Sequence, residues 1–182
     1  MRDDKRMLPL NSKQKMLVIE QRIPYEFVGK DPYMHTHMFC EAMVAHSTNL
    51  ILADTDFSAN QDELAECLEL AKQADVVVMT NYYARIVKAG NNRLLAKQLK
   101  DAGNKLVVVT NYPYVEGTTN EADVVVCNFS GTPDSIRASA DLLFGKIRPS
   151  AKTKLPIKLG VQKEAPIKKP PAKEAPWGLS YC

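Results

Sequence analysis

Five short runs of aliphatic residues constrain what this chain can fold into. Each run is continuous rather than alternating in polarity, which is typical of strands buried on both faces of a parallel sheet. Helices must then cover both faces of that sheet. The runs are MLVIE (16–20), NLILA (49–53), VVVMT (76–80), LVVVT (106–110) and VVVCN (124–128).

Amphipathic segments lie between and after these runs, at residues 39–45, 60–73, 89–102 and 133–144. Asn60 with Glu63 gives an approximate capping box, and Thr132-Pro133 begins the last segment as a cap followed by a first-turn proline. Alternating strands and helices predict an α/β fold. We predict a three-layer αβα sandwich around a mainly parallel sheet of five to six strands, the sixth being an edge strand at residues 155–159.

The composition changes along the chain and predicts three regions. Residues 1–14 are an N-terminal extension, residues 15–159 the α/β domain, and residues 160–182 a flexible tail rich in Pro and Lys. From Lys146 onward there are nine basic and two acidic residues, whereas residues 1–145 hold 15 basic and 19 acidic ones. The folded part is therefore mildly acidic, and we expect no nucleic-acid partner.

The apolar runs are too short for a membrane helix, which needs about 20 residues, and the chain's start lacks the apolar core of a signal peptide. We expect no membrane partner and a cytoplasmic location. The four cysteines form no CxxC pair. They are predicted to be free thiols, and Cys40, Cys67 and Cys127 to be buried.

Motifs for cofactor chemistry are missing from the sequence. There is no GxGxxG after the first run, no GxxxxGK[ST] and no GxSxG, so neither a nucleotide cofactor nor a serine nucleophile is predicted. His35 and His37, with Cys40 and Glu41 behind them, superficially resemble a metal cluster. Side chains two apart diverge on a helix, so we interpret this segment as a loop that leads into a helix and predict no metal.

Acidic residues near the predicted strand ends are not paired by spacing. Glycosidase chemistry needs two carboxyl groups about 5–10 Å apart. Asp54, Asp56, Glu20 and Glu116 are the candidates, and we interpret them as solvated caps and turn residues.

The sequence Thr-Asn-Tyr follows two of the valine runs. Residues 76–85 read VVVMTNYYAR and residues 107–116 read VVVTNYPYVE. Both strands are predicted to end at the same edge of the sheet, and ligands of open parallel sheets bind beyond the carboxyl ends of the strands.

Residues 74–159 resemble the C-terminal α/β-sandwich domain of glycoside hydrolase family 3, the family of β-glucosidases and β-N-acetylhexosaminidases. EADVVVCNFSG and the following GTPDSIRASADLLFGKIRPSAKTKLPI carry the resemblance, with Leu143-Phe144-Gly145, Pro149 and Lys154-Leu155-Pro156 at matching places. LVIEQRIPYEFVGKDPYMH resembles the first strand and loop of this domain in the N-acetylglucosaminidase branch. The resemblance covers about residues 15–159.

Two departures from the family pattern shape what the resemblance implies. The barrel that carries the family's aspartate nucleophile would precede this domain, and fewer than twenty residues do so here. The β-glucosidase branch supplies an acid/base glutamate from the loop after the strand equivalent to 76–80, where this chain has Asn81-Tyr82-Tyr83-Ala84-Arg85. The resemblance thus implies no catalytic residue in this chain.

We therefore expect the accessory domain of a β-N-acetylhexosaminidase-like enzyme, inactive as an isolated chain. It would need a catalytic barrel in trans or in a longer parent chain, and no cofactor is implied. A non-catalytic carbohydrate- or protein-binding module of the same fold is the alternative, followed by an unrelated flavodoxin-like binding protein.

If the two Thr-Asn-Tyr segments border a sugar cleft, the expected carbohydrate-binding residues are Asn81, Tyr82, Arg85, Asn111, Tyr112 and His35. Asparagine amides hydrogen-bond sugar hydroxyls, tyrosine rings stack on a pyranose, and Arg85 would pair with a carboxylate. In the alternative, the asparagines only satisfy loop backbone and the tyrosines pack against a neighbouring domain.

Overall fold

The computed structural model describes residues 1–3, 5–22, 37–82, 91–112 and 118–148. Within these ranges the chain forms six strands and five helices. The strands are β1 (Arg2–Asp3), β2 (Met16–Gln21), β3 (Leu50–Thr55), β4 (Val76–Thr80), β5 (Leu106–Thr110) and β6 (Val124–Cys127). The helices are α1 (Met38–Val44), α2 (Gln61–Ala71), α3 (Asn91–Asp101), α4 (Thr118–Glu121) and α5 (Pro133–Leu143).

The strands form one sheet in the order β1-β6-β5-β4-β2-β3. Every neighbouring pair is parallel except β1 and β6, which are antiparallel. The predicted fold class is confirmed, as are the five strands expected from the aliphatic runs. The edge strand predicted at residues 155–159 lies outside the described residues, and the sixth strand that the structure contains is β1.

Helices cover both faces of the sheet, which gives the three-layer sandwich. Val76 and Val78 of β4 pack in the core on the side of α1 and α5. Val77 and Met79 point the other way, into the core beneath α2, α3 and α4. This alternation is the two-residue period of a strand with helices on both faces, and it explains why the runs are apolar at every position.

The predicted helix ends are confirmed in detail at α2. The Asn60 side chain accepts hydrogen bonds from the Asp62 and Glu63 N–H groups, and the Glu63 carboxylate accepts one from the Asn60 N–H, which completes the capping box. After α3, Gly103 has φ +86°, the left-handed conformation that glycine adopts without strain. Thr132 occupies the N-cap of α5, but its side chain makes no capping bond.

The chain's first residues belong to the sheet. Arg2 and Asp3 pair with Val125 and Val124. Leu10 is buried in the core, and its N–H donates to the Leu143 carbonyl at 2.8 Å. The boundary predicted between residues 14 and 15 stays a prediction, but the sheet and its core extend into the segment before it.

Asp123 directly precedes β6 and makes several polar contacts at this edge of the sheet. Its carboxylate pairs with Lys5 and Lys100, each at 2.7 Å, and accepts a hydrogen bond from the Leu106 N–H at 2.9 Å. Burial alone would raise the pKa of Asp123, but these three donors outweigh it and lower the pKa to about 2. The Asp123 carboxylate is therefore ionised at neutral pH, where its ion pairs with Lys5 and Lys100 stabilise the fold.

The cysteines of the described ranges are free. Cys40 and Cys67 are buried, as predicted, while Cys127 is only partly buried and Cys182 lies outside the described residues. Burial raises the pKa of Cys67 to about 12, so this thiol is unreactive at neutral pH. No helix in the described part of the chain has the length and apolar character needed to cross a bilayer.

Candidate functional site

The two Thr-Asn-Tyr segments leave neighbouring strands with a one-residue offset. The motif repeats after 30 residues, whereas β4 and β5 pair Val77 with Leu106, 29 residues apart. Thr80 therefore lies opposite Val109, and Thr110 comes one place later. Because side chains alternate between the faces of a sheet, a shift of one residue turns equivalent positions to opposite faces.

The first segment, Thr80–Tyr82, is buried. Asn81 is 2% exposed and Tyr82 4% exposed, and the Tyr82 ring packs in the core on the side of α1 and α5. The Asn81 N–H donates to the Val109 carbonyl at 2.8 Å, which extends the ladder to β5. Both residues were predicted to bind carbohydrate. In the structure they are buried at the carboxyl edge of the sheet, here called the rim, rather than exposed on its surface.

The Tyr82 hydroxyl is held in an apolar setting. It forms no hydrogen bond of good geometry with any part of the chain that the structure describes. Burial raises the pKa of Tyr82 well above its usual value, and the nearby Asn128 side chain offsets only part of this rise.

Gln21, the last residue of β2, holds the first segment in place. Its N–H donates to Thr80 Oγ1 at 2.8 Å, its Nε2 donates to the Phe57 carbonyl at 2.8 Å, and its Oε1 accepts from the Tyr82 N–H. Gln21 was not predicted from the sequence. A polar side chain at the end of a buried strand was the available signal, since buried amides keep hydrogen-bond partners.

The second segment, Thr110–Tyr112, is more open. Asn111 is half-buried and Tyr112 is 39% exposed. Thr110 Oγ1 accepts from the Tyr112 N–H at 3.2 Å and donates to the Tyr112 carbonyl at 3.1 Å. These bonds are local, so this segment folds back on its own threonine rather than on β2.

Next along the rim, Asn128 and Phe129 follow β6. The Asn128 N–H donates to the Thr110 carbonyl at 2.9 Å, and its Nδ2 to Ser139 Oγ at 3.1 Å. Phe129 is 58% exposed and has φ +59°. Neither residue was predicted as a site residue, because the amino-acid sequence does not show backbone conformation or exposure directly.

At the other end of the rim, the described carboxylates are engaged. Glu20 is buried and accepts hydrogen bonds from the first N–H groups of α1, those of Phe39 at 3.0 Å and Cys40 at 2.8 Å. Arg22 binds the remaining three, with nitrogen–oxygen distances of 3.2 Å to Asp54, 2.6 Å to Asp56 and 2.8 Å to Glu63. Glu20 caps α1 as expected, but it is buried in β2 rather than solvated, and Asp54 lies within β3 rather than in a turn. Glu116 lies outside the described residues.

Two predicted site residues, His35 and Arg85, lie outside the described ranges, so their roles stay predictions. His37 precedes α1 with φ +68° and makes no side-chain capping bond. Within the residues that the structure describes, no three His, Cys, Asp or Glu side chains lie together as a metal would require.

A separate cavity of about 710 Å³ lies between α1 and α5. Its lining includes His46 and Asp141, whose side chains pair at 3.0 Å, and His46 also stacks on Phe144 with 4.9 Å between ring centres. These contacts join the two helices. The cavity belongs to the helical layer and not to the strand ends.

The chain matches the family model of the glycosyl hydrolase family 3 C-terminal domain over residues 1–175. It belongs to this family. The predicted resemblance is thereby confirmed, and the sheet described above is the family's C-terminal domain. A search of curated proteins finds no match.

Solved glycosidases contain the same fold. A β-N-acetylglucosaminidase from Paenibacillus sp. str. FPU-7 superposes with TM-score 0.66 at 20% identity, covering 81% of this chain and 28% of that one. A β-glucosidase from Listeria innocua, in complex with isofagomine, gives TM-score 0.66 at 17% identity, covering 81% and 23%. A β-glucosidase involved in saponin metabolism from intestinal bacteria gives TM-score 0.55 at 11% identity, covering 80% and 29%.

The C-terminal domain described here thus spans about a quarter of the length of each of these enzymes. Identities of 20% or less establish the fold and not the substrate. Both N-acetylglucosaminidases and β-glucosidases are among the matches, so the fold does not separate the two branches.

Proposed function

We propose that this domain is the accessory half of a β-N-acetylhexosaminidase-like family 3 enzyme and forms one wall of its sugar cleft. A catalytic barrel, in trans or in a longer parent chain, would supply the nucleophile and the acid/base group. The domain itself would contribute binding and positioning, so the isolated chain is expected to be inactive.

One observation carries the proposal: the described carboxylates at the strand ends are already bound. Glu20 accepts hydrogen bonds from α1 N–H groups, and Arg22 is shared among Asp54, Asp56 and Glu63. A general acid must be able to turn toward the substrate, whereas these carboxylates are held by other groups of the chain.

Amide and aromatic groups, by contrast, occupy the open part of the rim. Asn111 is half-buried with Tyr112 beside it at 39% exposure. An amide next to an accessible ring suits a pyranose, which has hydroxyls around its edge and an apolar face. The first segment would support this wall from behind, since Asn81 and Tyr82 are buried.

The assignment to the N-acetylhexosaminidase branch follows from the segment after β4. This segment, Asn81-Tyr82-Tyr83-Ala84-Arg85, contains no carboxylate where the β-glucosidase branch places its acid/base glutamate. The Paenibacillus β-N-acetylglucosaminidase and the Listeria β-glucosidase match equally well in fold, so this segment alone supports the branch assignment.

Sugar binding by the purified chain tests the proposal. We expect chemical-shift changes on titration with N-acetylglucosamine, a weaker response to glucose, and no hydrolysis of the p-nitrophenyl β-glycoside of either sugar. The double substitution Asn111→Ala with Tyr112→Ala should weaken binding without unfolding the chain. Hydrolysis by the chain alone would contradict the missing catalytic groups, and equal responses to both sugars would contradict the branch assignment.

A further inference from the structure

The groove between α1 and α5 combines an apolar base with charged borders. Met38 and Ala42 of α1, both nearly buried, lie at its base, and Ala45 and Pro133 also line it. We call this cavity of about 710 Å³ the α1–α5 groove. Because it belongs to the helical layer, a segment bound there would leave the strand ends free.

Acidic side chains outnumber basic ones along the α1–α5 groove. Its titratable lining consists of Glu41, Asp134, Asp141, Arg137 and His46. Three carboxylates are balanced by one guanidinium, so with a neutral imidazole the lining carries a net charge of −2. The side chains of Asp134 and Asp141 are 91% and 41% exposed, so they stay accessible although Asp134 bonds Arg137 and Asp141 pairs with His46. A surface of this kind attracts a cationic partner.

The same chain contains a cationic segment that starts close to this groove. Residues 160–182, the predicted Pro/Lys-rich tail, lie outside the described residues and hold four lysines and two glutamates. The described chain leaves α5 beside the groove, since the Lys146 N–H donates to the carbonyl of the lining residue Asp141 at 2.8 Å. The tail is therefore tethered near one end of the groove.

The tail is long enough to reach back along α5. Lys168 follows Arg148, the last described residue, by 20 positions, and a flexible linker of that length spans about 25 Å. The groove extends along α5 from Pro133 to Asp141, which corresponds to about 12 Å of helix. A tethered segment has an effective concentration on the order of millimolar, so contacts that are individually weak suffice.

We propose that the α1–α5 groove binds the tail of the same chain, with the Lys168–Pro171 stretch (KKPP) lying along it. Its lysines lie among the carboxylates, and its prolines cover the apolar base. A carboxylate has about four acceptor positions, so Asp134 and Asp141 can each accept a lysine besides their present partners. Prolines bury apolar surface without an N–H that would need a partner, and four residues of an extended Pro-rich segment rise about 12 Å, the length of the groove. This inference goes beyond the proposed sugar cleft and does not depend on it.

Paramagnetic broadening of NMR signals, measured on the whole 182-residue chain, tests the docking. Cys127 and Cys182 are replaced by Ser, and a nitroxide is attached to the cysteine of an Ala172→Cys variant. Cys40 and Cys67 stay unmodified because they are buried. We expect the amide signals of α1 and α5 to lose most of their intensity, whereas those of α2 and α3, on the other face of the sheet, keep theirs.

Charge reversal identifies the part of the tail that binds. Lys168→Glu with Lys169→Glu should restore most of the lost intensity. Raising the ionic strength from about 0.05 M to about 0.5 M should restore part of it, because salt screens exposed ion pairs. The matched control, Lys152→Glu with Lys154→Glu, changes the net charge equally and should leave the broadening as in wild type. Unchanged positions of the α2 and α3 signals in the same spectra show that the domain stays folded.

Three outcomes would overturn the inference. Broadening that is absent, or equal on both faces of the sheet, would mean that the tail does not occupy the groove. Equal effects of the two double substitutions would mean that overall charge, and not the Lys168–Pro171 stretch, is responsible. Broadening of an isotope-labelled chain by an added spin-labelled chain would make a second copy the occupant. None of these results involves a sugar, so the proposed function stands or falls separately.

Discussion

The two Thr-Asn-Tyr segments have the same sequence, but the first is buried and the second is partly exposed. In the first, Asn81 and Tyr82 are buried and tied to Gln21 of β2. In the second, Asn111 is half-buried, Tyr112 is 39% exposed, and the bonds are local to Thr110. The pairing of β4 with β5 also differs from the motif spacing by one residue, which turns equivalent positions of the two segments to opposite faces of the sheet.

This difference teaches that a repeated motif is not a repeated site. The face that a strand residue occupies depends on its register with the neighbouring strand, because the side-chain period is two residues. The first segment consequently serves as the framework of the rim, and the second is available to a ligand. Three experiments would break or sharpen this distinction.

Truncating the two tyrosines should give the largest contrast. Tyr82→Ala removes a ring from the core and should lower the free energy of unfolding by about 3–4 kcal/mol. Tyr112→Ala should change it by less than about 1 kcal/mol, because its ring is partly in solvent. Urea denaturation of both variants measures the difference. Equal losses would mean that the two segments have the same structural role.

Removing the Gln21 side chain tests what holds the first segment. Gln21→Ala leaves the Phe57 carbonyl and the Tyr82 N–H without their described partner, at a cost of about 2–3 kcal/mol in unfolding free energy. The matched control is Gln73→Ala, since Gln73 is exposed at the end of α2, and it should fall within about 0.5 kcal/mol of wild type. A Gln21 variant as stable as the control would show that the bridge is dispensable.

The smallest effect at neutral pH is expected for Tyr82→Phe. Because the Tyr82 hydroxyl has no partner of good geometry among the residues that the structure describes, its removal should be neutral or stabilise the fold by up to about 1 kcal/mol.

The difference should grow with pH. The folded chain has a raised Tyr82 pKa, so above pH ~10 the unfolded state loses this proton first and wild-type stability falls as pH rises. Urea denaturation at pH 8 and at pH 11 measures the trend, with Tyr112→Phe as the control. A constant difference between the two pH values would contradict the buried position of the hydroxyl.

The layers of this fold were predictable from the sequence because burial on both faces leaves a mark at every residue. Val76 and Val78 pack against one helical layer and Val77 against the other, so every position of the run must be apolar. The capping box of Asn60 and Glu63 was equally readable, since it depends on local spacing alone. Strand β1 was not, because two polar residues that pair with Val124 and Val125, far along the chain, carry no local signal.

The rim was only partly predictable. Asparagine and tyrosine after a strand end indicate the edge where side chains emerge, which is correct for both segments. Which of them is buried depends on contacts with residues distant in sequence, such as Gln21, which is a non-local property. Gln21 and Phe129 escaped notice for related reasons, since one acts through bonds to distant backbone and the other through a left-handed conformation.

The antiparallel contact between the first residues and β6 has a practical consequence for anyone who clones this domain. A fragment trimmed to begin at residue 15 would uncover the hydrogen-bonding groups of β6 and the pocket filled by Leu10. Unpaired edge strands of this kind promote pairing with other copies of the chain and aggregation. Fusion partners and purification tags are therefore best placed ahead of an intact Met1, with a spacer long enough to keep them clear of that border.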